Sequence, residues 1–547
     1  MQTGGGVPLV RGGGRYETFH AAFRWEVPET FNFGVDVVDR MARERDGPAL
    51  IAEDAAGEVR RYTFSDMARL TDRLAAALLA RGVAKGDFVL IMLPRIPEWH
   101  IAVVAALKLG AVPIPCIEML TEKDLAYRIA NSGARTVICR AGQTGKFAAL
   151  AGRLDVRISV GAAPGWDAFE AVLRDAPEDF EAAVVAAEDP AIMYYTSGST
   201  GQPKGVLHAA RGLHAWWVSA AYWLDLEPGD LIWCTADTGW SKAGTSILFG
   251  PWARGACAFF YDGPFDPARR LELLARHRIG VYCAPATELA RVAEEDVSRH
   301  DLSALRRTVS AGEAVSPVVA ARWRRATGLP IAEAYGQTET LMLVLNYPGE
   351  PVRPGSMGRP SPGSTVAVID DQGRELPPGE EGDVALETPH PQLMLGYWKE
   401  PDRTAACFRD GPGRRWYVTG DRGVADGDGY LWYRGRADDI INSAGYRIGP
   451  SEVEDVLLSH PAVRECAVVG RPDPDRGEIV TAFVVPKEPP TDPEALARDL
   501  QDHCKAGTAP YKYPRRITFV DSLPRTLTGK TKRSELRQMA AGGTDST

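Results

Sequence analysis

One stretch of the sequence combines residue types that can bind a phosphate group. Residues 194–205 read Tyr-Tyr-Thr-Ser-Gly-Ser-Thr-Gly-Gln-Pro-Lys-Gly and follow an apolar run typical of a β-strand. Glycine lets the backbone approach an oxyanion closely, hydroxyl groups donate hydrogen bonds, and Lys204 adds a mobile positive charge. The predicted phosphate-binding residues are Thr196, Ser197, Gly198, Ser199, Thr200, Gly201 and Lys204.

This loop differs from the phosphate loop of phosphoryl-transfer NTPases. That motif reads GxxxxGK[ST], and the Ser or Thr after its lysine binds Mg²⁺. Here Gly205 follows Lys204. A flexible surface turn is the alternative interpretation, and it is disfavoured because further motifs follow downstream.

Four more motifs follow this loop in order. They are Tyr335-Gly336-Gln337-Thr338-Glu339, Thr419-Gly420-Asp421, Gly435-Arg436-Ala437-Asp438-Asp439 and Thr528-Gly529-Lys530. Their order and spacing resemble the adenylate-forming superfamily, which includes acyl-CoA synthetases, the adenylation domains of peptide synthetases and luciferases. The resemblance covers residues from about 31 to about 537, and the segments 443–454 and 509–515 are most similar to medium-chain acyl-CoA synthetases.

The resemblance implies an ATP-dependent acid-thiol ligase. A free carboxylate is a poor electrophile, and coupling it to AMP supplies a good leaving group. In the family, the first half-reaction yields acyl-AMP and pyrophosphate, and the second transfers the acyl group to the thiol of coenzyme A. The implied substrates and cofactors are a small carboxylic acid, ATP, Mg²⁺ and coenzyme A.

Two segments are expected to form the nucleotide site. Glu339 is suited to Mg²⁺, because this hard cation prefers carboxylate oxygen and would bridge to the triphosphate. By resemblance, the hydroxyl group of Thr338 contacts the α-phosphate and residues 312–314 pass beside adenine. The remaining residues expected to bind ATP or AMP in these segments are Gly312, Glu313, Ala314, Tyr335, Gly336 and Gln337.

Further residues are suited to the sugar and the reacting phosphate. Asp421 can accept two hydrogen bonds from a ribose diol and Arg436 can donate to the same sugar, although the two could also form a structural salt bridge. By resemblance, Arg447 reaches the nucleotide. By resemblance, Lys530 is the catalytic lysine of the family. Its ammonium group, held ~4 Å from the charge that grows at the α-phosphate, would contribute roughly 4 kcal/mol at an effective dielectric of 20. The predicted catalytic residues are Lys204, Thr338, Glu339 and Lys530.

The resemblance also implies a second arrangement for thioester formation. In the family, the small domain rotates about one hinge residue, which here is Asp438. Glycine at position 445 would let the thin pantetheine arm pass close to the backbone. Arginine side chains could bind the anionic nucleotide end of coenzyme A. The implied coenzyme A residues are Ala444, Gly445, Tyr446, Arg476, Tyr513 and Arg515.

Three residues are expected to shape the acyl pocket. Acetate-specific relatives have tryptophan at the position of Gly336, so its absence here should admit longer chains, with about 0.8 kcal/mol for each buried methylene. By resemblance, Trp240 lines the other side of the pocket. Lys242 either places a charge near the acyl path or points to solvent.

These observations predict a carboxylate:CoA ligase that acts on medium-chain or branched acids. Aromatic acids such as benzoate are the alternative substrates. A carrier-protein adenylation enzyme is a second hypothesis, disfavoured because no thiolation domain adjoins the motifs. A catalytically silent nucleotide sensor is a third, and the presence of Lys204, Glu339 and Lys530 argues against it.

Size, charge and cysteine content narrow the class of protein. A chain of 547 residues is too long for a single core and should form at least two domains. A net charge of -9 argues against binding to nucleic acid, and no segment approaches the ~20 apolar residues of a membrane span. Eight scattered cysteines suggest neither a zinc site nor a disulfide framework. A reducing compartment, namely the cytoplasm, is expected.

The hydrophobic pattern predicts an α/β fold. Residues 65–80 have helical spacing after a predicted Ser/Asp cap that begins at Ser65, and residues 99–109 are helical again. Residues 88–93 and 112–115 are strand-like, so helices and strands alternate as in a wound sheet. Turn-rich segments at 370–383 and 426–429 indicate an antiparallel β subdomain. A helix at 451–459, strands at 467–470 and 479–485, and a helix at 493–505 describe a small α+β domain. The predicted division is an N-terminal extension at 1–30, a large AMP-binding domain at 31–437 and a mobile domain at 438–547.

Overall fold

The structure is a computed structural model, and it describes residues 16–196, 203–436, 439, 441–443, 446–473, 476–507, 512–526 and 530–542. Strands and helices are numbered in chain order. The helices are α1 (Tyr16–Ala22), α2 (Arg40–Glu44), α3 (Phe64–Ala80), α4 (Pro97–Lys108), α5 (Glu122–Ser132), α6 (Phe169–Arg174), α7 (Ala210–Ala215), α8 (Trp217–Tyr222), α9 (Ser241–Ala243), α10 (Phe249–Ala253), α11 (Pro267–Arg276), α12 (Ala286–Val292), α13 (Pro317–Thr327), α14 (Pro401–Ala405), α15 (Pro450–Ser459), α16 (Pro493–Gly507) and α17 (Arg533–Gly542). Shorter 3-10 or π segments are Gly34–Asp39, Ala141–Arg153, Gly244–Leu248 and Val297–Arg299.

A fourteen-stranded sheet runs through the large domain. In spatial order its strands are β17 (Val366–Ile369), β18 (Glu381–Thr388), β21 (Arg414–Ala425), β22 (Leu431–Arg436), β16 (Ser356–Pro360), β15 (Leu341–Leu345), β14 (Ile331–Gln337), β13 (Arg307–Ala311), β12 (Val281–Cys283), β10 (Leu231–Cys234), β11 (Cys257–Asp262), β1 (Pro48–Asp54) and β2 (Val59–Thr63), with β20 (Phe408–Gly411) paired to β21. Strands β10, β12, β13 and β14 are parallel neighbours, so their carboxyl ends lie along one edge. Ligands of open α/β sheets bind outside such an edge.

Three smaller sheets complete the structure. A parallel sheet is formed by β4 (Val112–Pro115), β3 (Phe88–Met92), β5 (Thr136–Arg140), β6 (Val156–Val160) and β7 (Asp167–Ala168). A three-stranded sheet is formed by β19 (Gly396–Tyr397), β9 (Lys204–Ala209) and β8 (Pro190–Thr196). The small domain contains β24 (Tyr446–Ile448), β23 (Ile441–Ser443), β26 (Gly477–Pro486), β25 (Val463–Asp473) and β27 (Arg516–Phe519).

The predicted α/β fold class is confirmed, and most predicted elements occur within a few residues of their expected places. The predicted cap of the first long helix is wrong. Helix α3 begins one residue earlier, and Thr63 caps it by accepting a hydrogen bond from the backbone of Asp66, whose side chain accepts one from the backbone of Thr63. This reciprocal capping box satisfies two backbone donors, whereas Ser65 lies inside the helix.

The structure also describes the cysteines and the apolar character of the helices. All eight cysteines are unpaired thiols, six of them buried and two half-buried. Among the helices that the structure describes, none combines the length and the apolar character needed to cross a membrane.

The N-terminal extension packs against the large domain from residue 16 onward. Phe19 is only 6% exposed, and its ring lies 5.3 Å from that of Tyr222 and 5.1 Å from that of Tyr347. The indole of Trp25 donates a 2.9 Å hydrogen bond to the carbonyl oxygen of Gly363. Helix α1 is therefore part of the core of the large domain.

This packing predicts the effect of removing one aromatic ring. Phe19→Ala should lower the free energy of unfolding by about 3 kcal/mol, because truncating a buried aromatic side chain leaves a cavity. Urea unfolding followed by tryptophan fluorescence measures the change. Leu79→Ala is a control, since Leu79 is half exposed and should change stability little. Equal urea midpoints of unfolding for Phe19→Ala and wild type would contradict the packing of Phe19 in the core.

Candidate active site

The predicted phosphate-binding lysine lies at the start of β9, in the β8–β9 hairpin. Thr196 ends β8, Lys204 begins β9, and the two residues are partners across the antiparallel ladder. The predicted loop residues Ser197, Gly198, Ser199, Thr200 and Gly201 lie outside the described residues. Both ends of the loop therefore have fixed positions in the sheet.

Lys204 forms a compact cluster with Glu339 and Tyr397. The ammonium nitrogen of Lys204 lies 2.8 Å from Oε1 of Glu339 and donates a 2.7 Å hydrogen bond to the hydroxyl oxygen of Tyr397. That hydroxyl donates in turn to Oε1 of Glu339 at 2.9 Å. Sequence reasoning missed Tyr397, which lies almost 60 residues beyond Glu339. The Gly-Tyr-Trp context of this residue is the sequence signal that could have identified it.

The Glu339 carboxylate is buried and ionised. Burial raises its pKa, but the Lys204 ammonium and the Tyr397 hydroxyl outweigh this effect, so the pKa is lower than usual. In the described part of the chain, no cluster of three or more His, Cys, Asp and Glu side chains could hold a metal ion. A single ionised carboxylate fits Mg²⁺, which proteins commonly hold through one or two carboxylates together with substrate phosphates.

Two further side chains hold Thr338. Nε2 of His208 lies 2.6 Å from the carbonyl oxygen of Thr338, and Oγ of Ser241 lies 3.1 Å from its hydroxyl oxygen. Burial lowers the pKa of His208 to about 4, so the imidazole is neutral at pH 7. Sequence reasoning missed His208, although strand alternation places it on the same face of β9 as Lys204.

Asp421 and Arg436 face each other on β21 and β22, where they are register partners. Nη1 of Arg436 lies 3.2 Å from Oδ1 of Asp421. The hydroxyl of Tyr335 and the side-chain amide of Gln337 donate to Oδ2 at 2.5 Å and 2.6 Å. Burial raises the pKa of Asp421, and these three donors oppose that rise. Asp421 therefore forms a salt bridge with Arg436 and also contacts Tyr335 and Gln337 of the predicted nucleotide segment.

The segment predicted to pass beside adenine begins at the carboxyl end of β13. Gly312 has φ +95°, a left-handed conformation that favours glycine. Oε1 of Glu313 accepts hydrogen bonds from the backbone and the hydroxyl of Thr287, at 3.0 Å and 3.3 Å. Gly312 and Ala314 are exposed, so the backbone of this segment is accessible from solvent.

Lys530 of the small domain joins the same group of charges. It reaches solvent, yet the surrounding protein partly desolvates its ammonium group and lowers its pKa, and Lys242 adds to the lowering. The carboxylates of Glu313 and Asp421 oppose that change. Lys530 of the small domain therefore lies within electrostatic range of charged residues in the nucleotide segments of the large domain.

The structure excludes one interpretation of Lys242, while a charge near the acyl path stays a prediction. Its side chain is half-buried, and its ammonium group donates a 2.9 Å hydrogen bond to the carbonyl oxygen of Ala311 at the end of β13. The interpretation that it points to solvent is wrong. Trp240, two residues earlier, is half-buried and packs against the core that includes Ile117 and Leu120.

Sequence and structure comparisons identify the family of this chain. The AMP-binding enzyme family matches residues 37–398, and the AMP-binding enzyme C-terminal domain matches residues 452–530. The chain belongs to the AMP-binding enzyme family. The first match contains Lys204 and the 335–339 segment, and the second ends at Lys530.

Individual relatives cover almost the whole of this AMP-binding enzyme. Acyl-coenzyme A synthetase ACSM3, mitochondrial, from Mus musculus is 40% identical over 544 residues, which cover 96% of this chain and 93% of the relative. The crystal structure of the anthranilate CoA ligase AuaEII in complex with anthranoyl-AMP has a TM-score of 0.86 at 32% identity and covers 94% of this chain and 98% of its own. A benzoate CoA ligase from Burkholderia xenovorans LB400 has a TM-score of 0.81 at 29% identity, with 93% and 100% coverage.

The expected coenzyme A residues are only partly described in this AMP-binding enzyme. Arg476 is exposed, and Nη1 of Arg515 lies 3.1 Å from the hydroxyl oxygen of Tyr513. These residues therefore present basic and aromatic groups on the small domain, and their role stays a prediction. Outside the described residues lie Asp438, Ala444, Gly445 and the side chains of Tyr446 and Arg447.

The expectation that Gly336 opens the acyl pocket is wrong. A Cβ atom at this position would lie 1.8 Å from the carbonyl oxygen of Leu341 and 2.8 Å from Cα of Met342. Those atoms belong to β15, which pairs with β14 through an irregular register at Tyr335 and Gly336. Gly336 is therefore required by the close approach of two strands, and a side chain here would collide with backbone.

We predict that Gly336→Ala destabilises the AMP-binding enzyme by about 3 kcal/mol or more, because the added methyl group forces the two strands apart. Activity toward every acid should fall alike. Thermal melts and kcat/KM for acetate, hexanoate and octanoate measure both effects. Gly142→Ala is the matched control, since a Cβ there meets nothing within 4 Å. A stable Gly336→Ala protein with a changed chain-length profile would restore the acyl-pocket role.

Proposed function

We propose that this enzyme joins a carboxylic acid to coenzyme A at the expense of ATP. The acid first displaces pyrophosphate from ATP to give acyl-AMP, and the thiol of coenzyme A then displaces AMP to give the thioester. The observation that supports this proposal is that Lys204, Glu339, Asp421 and Lys530 come from separate segments and interact with one another or with neighbouring residues of the 335–339 segment.

The charges of the cluster suit the first half-reaction. Lys204 is a cation at the end of the phosphate loop, where it can stabilise the negative charge that accumulates on the departing pyrophosphate. Thr338, which is held through both its carbonyl and its hydroxyl group, can donate to the α-phosphate. When bound, Mg²⁺ would be held by Glu339 and would neutralise phosphate charge. Lys530 adds a positive charge where the carboxylate attacks.

The nucleoside has its own partners in this proposal. Oδ1 of Asp421 can accept from a ribose hydroxyl, and Arg436, whose side chain is 43% exposed, can donate to the same sugar. Tyr335 and Gln337 orient the carboxylate of Asp421 through their hydrogen bonds. The backbone of the 312–314 segment, beside these residues, is available to the base.

Medium-chain or branched acids are our first proposal for the substrate. The names of the acyl-coenzyme A synthetase relatives support an acyl chain, at 40% identity over almost the whole length. Aromatic acids are the second candidate, favoured by the similarity to an anthranilate and a benzoate CoA ligase. Relative kcat/KM values for hexanoate, octanoate, 2-methylbutyrate, benzoate and anthranilate separate the two classes.

We propose a reducing compartment for the enzyme, which includes the cytoplasm. All eight cysteines are thiols, and disulfides are rare in such compartments. The mouse relative carries the word mitochondrial in its name, so the mitochondrial matrix is a second candidate.

Turnover should release AMP and pyrophosphate in an acid-dependent manner. Lys530→Ala should reduce acyl-AMP formation by ~100-fold or more, because the lost charge acts where the α-phosphate is attacked. Thioester formation from supplied acyl-AMP should largely survive. Pyrophosphate release and acyl-CoA chromatography measure the two half-reactions. Release of ADP and phosphate would overturn the proposed function, and equal loss in both half-reactions would overturn the role of Lys530.

The pKa of Lys530 should determine the pH at which acyl-AMP formation declines on the alkaline side. Its ammonium group is present below its pKa and is lost as pH rises through that pKa. The Glu313 carboxylate raises the pKa of Lys530, so Glu313→Gln should lower it further. The alkaline decline of acyl-AMP formation should then begin at a lower pH than in wild type. The pH profile of pyrophosphate release tests this shift. Glu494→Gln is the control, because Glu494 is an exposed residue of α16. A profile displaced toward alkaline pH would contradict the assignment.

A further inference from the structure

A single carboxylate oxygen in the candidate site is shared between one cation and one hydroxyl group. Oε1 of Glu339 lies 2.8 Å from the Lys204 ammonium and accepts a hydrogen bond from the Tyr397 hydroxyl at 2.9 Å. Glu339 is 7% exposed, so these partners largely take the place of water around its carboxylate. A buried carboxylate is stable only with a positive or hydrogen-bonding partner. Lys204 therefore supplies the positive charge that Glu339 requires.

Tyr397 contacts the lysine in two ways. Its hydroxyl oxygen accepts a 2.7 Å hydrogen bond from the Lys204 ammonium, which also lies 4.2 Å from the centre of the tyrosine ring. A cation over an aromatic face is attracted by the quadrupole of the ring. Tyr397 therefore interacts with the ammonium group through both its ring and its oxygen.

The backbone holds Tyr397 against both partners. Strand β19 pairs with β9, so Tyr397 is the register partner of Val206, two residues from Lys204. The backbone of Trp398 donates to the carbonyl oxygen of Gly205 at 2.8 Å, and that of Met394 donates to the carbonyl oxygen of Glu339 at 2.8 Å. The tyrosine is thus fixed to the strand that carries the lysine and to the residue that carries the carboxylate.

Glu339 is also the residue that fits the divalent cation of the proposed function. Two cations close to the same oxygen repel each other, and one carboxylate carries too little charge to hold both. A divalent ion that binds Oε1 of Glu339 would therefore compete with the Lys204 ammonium for that oxygen. The displaced ammonium becomes free to meet the phosphates that enter with the metal.

We propose that Lys204 is the resident counter-ion of Glu339 in the nucleotide-free enzyme and that a divalent cation competes with it for this carboxylate. Tyr397 is a positioning residue in this exchange, because its hydroxyl keeps Glu339 in place after the ammonium leaves. The inference rests on the proposed function, in which the metal accompanies ATP. As a result of this exchange, the site would bind the nucleotide together with the divalent cation.

Binding of Mn²⁺ alone, without nucleotide, tests the competition. Paramagnetic resonance of free Mn²⁺ measures affinity in wild type, Lys204→Met and the double variant Lys204→Met/Glu339→Gln. Lys204→Met should bind Mn²⁺ at least about tenfold more tightly than wild type, because the competing charge-assisted contact is gone. The double variant should lose this gain. Equal affinities in the three proteins, or a gain that survives in the double variant, would overturn the proposal.

A second variant covers the case in which Lys204→Met fails to fold. Lys204→Gln removes the charge but keeps a hydrogen-bond donor beside Glu339 and Tyr397. Mn²⁺ at a fixed concentration should raise the melting temperature of Lys204→Gln more than that of wild type, because the variant binds the ion more tightly. A similar rise in both proteins would show that Lys204 and the metal do not compete.

Tyr397→Phe isolates the positioning role, since it keeps the ring contact with Lys204 and removes the hydroxyl. The Mg²⁺ concentration that supports half-maximal ATP binding in calorimetry should rise about tenfold, since one hydrogen bond to a charged group is lost. The KM for the acid and thioester formation from acyl-AMP should not change. Tyr347→Phe is the matched control, because Tyr347 is a buried tyrosine whose hydroxyl donates to the carbonyl oxygen of Pro360. An unchanged Mg²⁺ dependence in Tyr397→Phe, or the same rise in Tyr347→Phe, would overturn the positioning role.

These measurements are independent of turnover. If Mn²⁺ affinity behaves as expected while no acid yields AMP and pyrophosphate, the proposed function fails and the exchange stands. If acyl-CoA forms while the Mn²⁺ affinities are equal, the exchange fails and the proposed function stands.

Discussion

A buried carboxylate must be matched by positive charge, and this requirement on Glu339 organises the site. The partner, Lys204, comes from a strand more than 100 residues earlier in the chain, and the hydroxyl that joins them comes from a strand almost 60 residues later. Three separate segments of the large domain must therefore meet at one point. The small three-stranded sheet exists where they meet, because it holds β9 and β19 side by side.

Strand β14 connects this cluster to the rest of the large sheet. It is parallel to β13 on one side and antiparallel to β15 on the other. Its last residues therefore lie where the parallel half and the antiparallel half of the sheet meet. From this position Tyr335 and Gln337 reach Asp421 in the antiparallel half, and the turn beyond carries Thr338 and Glu339 toward β9. The close approach of β15 leaves no space for a side chain at position 336.

The sequence predicted the chemistry of the site better than its packing. Motif residues such as Lys204, Glu339 and Asp421 could be found because their residue types and order carry the signal. The role of Gly336 was predicted wrongly because the sequence cannot distinguish a glycine that opens a pocket from one that lets a neighbouring strand approach. The position of the Leu341 backbone distinguishes the two cases. Tyr397 and His208 were missed because a tyrosine and a histidine near strands resemble core residues until their partners are placed. The alternation of helices and strands predicted the fold class, while the helix cap depended on local hydrogen bonds at Thr63.

The distribution of thiols affects how the protein would respond to electrophiles and oxidants. Alkylation and oxidation require a thiolate that the reagent can reach. Burial raises the pKa of Cys139 and of Cys257 to about 12, and six of the eight cysteines are buried. Alkylation or oxidation of Cys139 and Cys257 therefore requires that the core around them opens. The rate at which an alkylating reagent consumes them would report the opening of the core.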